Sequence, residues 1–97
     1  MKLRYTTTAA RELEEVLAGI AERSPQGARN VQLRIRSAIE ILAAYPSGGQ
    51  LTTHPTLRRI VAVPYPYLIF YEARESEVVI IGIRHAARDP ATMPGDA

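Results

Sequence analysis

The chain has 97 residues, 46% of them hydrophobic, with 12 basic groups against 10 acidic ones for a formal charge of +2, and no cysteine. That describes one ordinary soluble domain, able to bury roughly two thirds of its unfolded surface without metal or crosslink, and it excludes a disulfide scaffold or a cysteine-built zinc site. The longest apolar run, Val78 to Ile83, is far short of a bilayer span, and Met1-Lys2-Leu3-Arg4 leads into no apolar signal core, so the expected location is the cytoplasm.

In chain order, Lys2-Leu3-Arg4-Tyr5-Thr6 alternates polar and apolar residues, the period of a half-buried strand. From Thr8, the expected N-cap, Leu13, Val16, Leu17 and Ile20 repeat at helical spacing, with Arg11, Glu15 and Glu22 on the far side. Ser24-Pro25-Gln26-Gly27 breaks this pattern and starts a second helix, Ser24 capping it and Pro25 filling the first position, where its missing N–H costs nothing. Ala28, Val31, Ile35, Ala38, Ile39, Leu42 and Tyr45 form the apolar stripe of that helix, which Pro46-Ser47-Gly48-Gly49 ends. So short a turn between two amphipathic helices predicts an antiparallel hairpin. Leu33 lies opposite the stripe, among Arg29, Arg36 and Glu40, so it faces solvent or a partner; a single exposed leucine is also common.

Beyond Leu57 the β-formers dominate, in runs Leu57 to Val63, Tyr67 to Ala73 and Val78 to Arg84. Their short connections predict a three-strand antiparallel meander. Val78-Val79-Ile80-Ile81 is apolar on both faces and is expected to be a covered central strand. The expected fold is α+β: an N-terminal strand, then an antiparallel two-helix hairpin packed on a mainly antiparallel sheet that the C-terminal meander completes. Residues 1–90 form the expected single domain, and residues 91–97, without apolar periodicity, a tail that is flexible unless bound.

The chemistry narrows by elimination. The glycines form neither GxGxxG nor GxxxxGK[ST], and His54 and His85 belong to no metal-ligand pattern, so neither a cofactor nor a metal is expected. The serines have capping or turn roles and none sits in a nucleophile elbow. Eleven of the twelve basic residues are arginine. Arginine is the side chain suited to carboxylates and phosphates, although a GC-rich genome also produces such a bias.

What remains is Arg84-His85-Ala86-Ala87-Arg88-Asp89-Pro90 at the end of the last strand. His85 as acid or base, with Arg84 and Arg88 on developing charge, suits a phosphodiester. Alternation lets only one of Arg58 and Arg59 join them. The plainer reading pairs Arg84 and Arg88 with Glu72, Glu77 or Asp89 and leaves His85 a strand-end residue with satisfied hydrogen bonds. Tyr65, Tyr67, Phe70 and Tyr71 do not make one stacking platform, because Tyr65 and Tyr67 flank Pro66 in a hairpin connection and Phe70 and Tyr71 fall on opposite faces of a strand.

Three segments, Leu57-Arg58-Arg59-Ile60-Val61-Ala62-Val63, Tyr65-Pro66-Tyr67-Leu68-Ile69-Phe70-Tyr71 and Ile81 through Pro90 with its His-x-x-Arg-Asp element, resemble the RelE/ParE superfamily of bacterial toxins. The order of elements matches too, so the resemblance covers nearly the whole chain. It implies a type II toxin held inactive by a cognate, ParD-like or related antitoxin in a hetero-oligomer, with no membrane role.

The superfamily divides by target. RelE-like members cut mRNA on the ribosome with basic residues and a His or Tyr near the last strand's end; ParE-like members poison DNA gyrase. A charge of +2 and Pro46-Ser47-Gly48-Gly49-Gln50 in place of a Lys-rich stretch favour the ParE-like branch, a non-enzymatic gyrase inhibitor. Arg84, His85 and Arg88 are then the candidate target contacts. In the ribonuclease alternative His85, Arg58, Arg84 and Arg88 form a metal-free catalytic set. A family member that binds antitoxin but has lost toxicity is the third reading. Arg29, Leu33 and Arg36 are the candidate antitoxin contacts.

Overall fold

A computed structural model describes residues 2–87. Arg88 and the tail of residues 91–97, like the expected domain boundary at residue 90, lie outside the described residues. The described chain runs β1 (Lys2–Tyr5), α1 (Thr7–Ala21), α2 (Pro25–Ala44), β2 (Gln50–Leu51), β3 (Arg58–Val61), β4 (Tyr67–Ala73) and β5 (Glu77–His85). The strands form one five-stranded sheet in the order β1-β5-β4-β3-β2. All its pairings are antiparallel except β1 with β5, which is parallel. The expected α+β architecture is what the chain adopts.

Helix α1 begins two residues earlier than its sequence suggests. Thr6, not Thr8, is the N-cap: its Oγ1 accepts from the Ala9 N–H at 3.0 Å. Any of the consecutive Thr6, Thr7 and Thr8 has the chemistry to cap, and the sheet chooses among them. Thr6 donates its backbone N–H to Ile80 O at 3.0 Å and its hydroxyl to Ile81 O at 3.3 Å, which ties the helix start to β5. Helix α2 starts as expected, with Ser24 Oγ accepting from the Gly27 N–H at 2.9 Å and Pro25 in the first turn.

One face of the sheet meets the helices. Val31, Ile35, Ala38, Ile39 and Leu42 of α2 and Ala9 of α1 are buried against Ala62, Ile69, Tyr71, Val78, Ile80 and Ile83. Each large side chain buried here contributes about 1.5–3 kcal/mol through the hydrophobic effect. The opposite face carries a smaller cluster of Leu57, Leu68 and Phe70. Tyr71 and Phe70 therefore do fall on opposite faces, and Val78, Val79 and Ile80 are fully buried, as a doubly covered strand requires. Tyr45 departs from expectation: as the C-cap of α2 it is 70% exposed although it continues the apolar stripe.

The two-residue β2 was not expected. It pairs Gln50 with Arg59 and Leu51 with Arg58, and it exists because the loop after α2 is pinned to the sheet. The Tyr71 hydroxyl accepts from the Gly49 N–H at 2.8 Å and donates to Pro46 O at 2.9 Å. Arg58 reaches the same loop, donating to Gly49 O at 2.9 Å and Ser47 O at 3.2 Å. Gly49 is required at this approach, because a Cβ there would collide with the ring and hydroxyl of Tyr71. Burial pushes the Tyr71 phenol above its ordinary pKa, against the opposing effects of the Gly49 hydrogen bond and the Arg58 charge.

Candidate functional site

Two regions carry the residues singled out by sequence. The first is the end of β5. Strand β1 accompanies β5 only as far as Ile80, and α1 then runs along the edge that β1 leaves open. Between them lies a cleft of about 770 Å³ whose lining includes Glu12, Val16, Ile20, Tyr67, Arg84 and His85. Glu12, Arg84 and His85 within it are engaged. Glu12 accepts from the Ile83 backbone N–H through Oε1 at 3.0 Å, and its Oε2 lies 3.4 Å from Arg84 Nε. His85 Nδ1 accepts from the Ala87 N–H at 3.0 Å, which assigns the neutral ring its proton on Nε2. The His85 ring stands edge-on to Tyr67, centroids 5.2 Å apart and planes at 89°, because the two residues are directly opposite in the β4–β5 ladder.

The structure does not bring Arg58 or Arg59 to this end. Arg58 is opposite Tyr71 on β4, four positions from Tyr67, which sits beside His85. Four residues of strand amount to about 13 Å, and β4 also lies between β3 and β5. Arg58 is turned into the loop after α2, and Arg59 donates to Gln50 Oε1 at 3.3 Å. Of the partners expected for Arg84, Glu72 binds Arg74 at 2.8 Å and Glu77 binds Arg4 at 3.2 Å, so both acids serve the far end of the sheet; Asp89 lies outside the described residues, and Glu12, which was not expected, meets Arg84. Arg74 and Arg4 hold the Glu72 and Glu77 carboxyls, respectively, below the ordinary carboxylate range, hydrogen bonding being the leading cause in each. His85 does have the satisfied ring nitrogen of the plainer reading.

The second region is the outward side of α2 and its junction with β3. Leu33 is 56% exposed between the exposed Arg29 and Arg36, as its phase predicts. A shallow groove of about 200 Å³ runs between the C-terminal half of α2 and β3, lined by Arg34, Ile41, Tyr45, Ile60 and Val61 among others. Ile41, Val61 and Val63 are exposed as well. Because β2 pairs only with Arg58 and Arg59, the outer edge of β3 has no strand neighbour at Ile60 and Val61 among the described residues. Arg34 donates to Val63 O at 2.7 Å across the groove.

Sequence reasoning missed Ile41 and Glu12. Ile41 carried a signal: four residues before Tyr45 it lies on the flank of the apolar stripe, about 80° round the helix from Leu33. Glu12 carried none, since its partners are more than seventy residues away. Among the described residues no group of His, Asp or Glu is placed to hold a metal ion, and no helix is long and apolar enough to cross a membrane.

Residues 3–90 match the family model of the ParE toxin of the type II toxin–antitoxin system parDE, and the chain belongs to that family, within the RelE/ParE superfamily. It is 42% identical over 84 residues to Toxin RelE2 of Caulobacter vibrioides, a match spanning 87% of this chain and 93% of the relative. It is 34% identical over 85 residues to putative toxin Y4kP of Sinorhizobium fredii, covering 88% of each. Among solved structures, a chain of the chromosomal ParDE system from P. aeruginosa shares the fold with a TM-score of 0.76 at 20% identity, over 88% of this chain and 95% of that one.

Proposed function

We propose that this type II toxin inhibits growth in the cytoplasm by ParE-like poisoning of DNA gyrase through protein contacts, and that a cognate ParD-like antitoxin neutralises it. The observation that carries the reading is the dispersal of the cations. Cleavage of a phosphodiester needs donors aimed where charge develops. Here Arg58 is committed to loop carbonyls at the far end of β3, Arg84 is engaged by Glu12, and the chain's net charge of +2 is small for docking into an RNA-walled site. The end of β5, with Arg84, His85 and the Arg88 that follows, is the proposed gyrase-facing surface.

The antitoxin is proposed to lie on the other region, over Arg29, Leu33 and Arg36. An exposed leucine between two arginines suits an amphipathic segment with acidic residues on its polar side.

The test is expression of the toxin without its antitoxin, reading DNA supercoiling and message integrity in the same cells. Gyrase-dependent DNA damage with intact message is expected. Rapid ribosome-dependent message cleavage with normal supercoiling would overturn this reading in favour of the ribonuclease, and unaffected growth would mean that toxicity is lost.

A further inference from the structure

We infer that Glu12 is a positioning residue for the target-facing end of β5, an inference that rests on the proposed role of that strand end. A parallel neighbour normally satisfies the edge of a strand, but β1 stops at Tyr5, opposite Ile80. Three groups then take over the edge in succession. The Thr6 N–H covers Ile80 O, the Thr6 hydroxyl covers Ile81 O, and Glu12 accepts the Ile83 N–H. Glu12 thus stands where the next residue of a longer β1 would have stood.

Its second oxygen, 3.4 Å from Arg84 Nε, works on the adjacent residue. One carboxylate therefore fixes both the backbone at Ile83 and the guanidinium at Arg84, immediately before His85. The pair is shielded, with Glu12 and Arg84 side chains only 20% and 25% exposed. Partial burial strengthens such a charge-assisted contact relative to an open surface pair. On the opposite edge the last strand is held through Tyr67, which pairs with His85, and through the Ala86 N–H, which donates to Pro66 O at 2.8 Å. Glu12 adds an anchor for the end of β5 on the other edge.

Glu12 does not contact the target in this account; it acts through Ile83 and Arg84. Glu12→Ala should reduce growth inhibition, and gyrase inhibition in vitro, at least tenfold. Its antitoxin affinity should stay within about twofold of the parent, because the α2 surface is remote from the change. Glu12→Gln keeps an oxygen for the Ile83 N–H and should recover most of the activity. Hydrogen exchange on the full-length variants gives a readout independent of activity: Ile83 should lose protection in Glu12→Ala and retain it in Glu12→Gln, while Ile69 in β4 keeps its protection in both.

Full toxicity with Glu12→Ala, unchanged protection at Ile83, or loss of protection throughout the sheet would each overturn the inference. A parent protein that leaves gyrase untouched would sink the gyrase reading instead. Growth inhibition and exchange would then still decide the role of Glu12.

Discussion

The end of β5 and the outward side of α2 solve opposite problems. At the strand end the exposed groups are polar and already engaged: Glu12 with Ile83 and Arg84, His85 with Ala87 and Tyr67. Along α2 and β3 large apolar side chains stand exposed among the polar ones: Leu33, Ile41, Tyr45, Val61 and Val63 are all between 43% and 70% exposed. A polar cluster that satisfies itself can stand in water indefinitely. An apolar groove beside an open strand edge is more stable when covered, and an uncovered edge of this kind invites pairing. The difference separates a surface suited to transient contact from one suited to a lasting partner.

The comparison breaks first at the loop after α2, on which the groove depends. Gly49→Ala should destabilise the fold by about 2–3 kcal/mol, because the new methyl overpacks against Tyr71 and forces the loop off the sheet. Chemical denaturation measures this, and a change below about 0.5 kcal/mol would show that the loop yields freely. A charge placed on the exposed apolar surface of α2 should come next. Ile41→Asp should weaken antitoxin binding about 10- to 100-fold by titration calorimetry, and Leu33→Asp by less, with each variant's melting temperature near the parent value. Equal affinity for both variants and the parent would move the antitoxin elsewhere.

Tyr71→Phe removes a hydroxyl that both accepts and donates within the loop, and should cost about 1–2 kcal/mol in the same denaturation assay. At the strand end, His85→Ala should reduce toxicity only severalfold, since the proposed mechanism asks for contact and not proton transfer. A loss of a thousandfold would make His85 catalytic. The smallest effect concerns the far end of the sheet. Glu72 and Glu77 have folded-state pKa values below the ordinary 4.5, so their contribution is fully present above that value and is lost as pH falls through the lowered values. Stability followed by denaturation from pH 6 to pH 2 should therefore decline below about pH 4.5, and Arg74→Ala should flatten that decline.

Legibility in the sequence followed the range of the interactions. The run Tyr67 to Ala73 was readable to the residue as β4, because a continuous run of β-formers and a flanking Pro66 are local signals. Leu33 was readable as exposed for the same reason, one turn of helix being enough to set its phase. The N-cap is Thr6 and not Thr8 because three threonines compete and the hydrogen bonds of Thr6 to Ile80 and Ile81 decide between them. Arg58 read as a candidate for the His85 cluster because residue type says nothing of register, and the register places it opposite Tyr71.

By itself, then, the sequence determined every element but β2, their order, most of the apolar core and the family, all of which rest on periodicity, capping and motif over a few residues. The tertiary structure decided which cations meet which anions. It turned Arg58 into a loop, gave Arg84 to Glu12, and left the α2–β3 groove uncovered by the described residues. Those outcomes depend on strand order and on where β1 ends, and contacts between residues seventy positions apart leave no local trace in the chain.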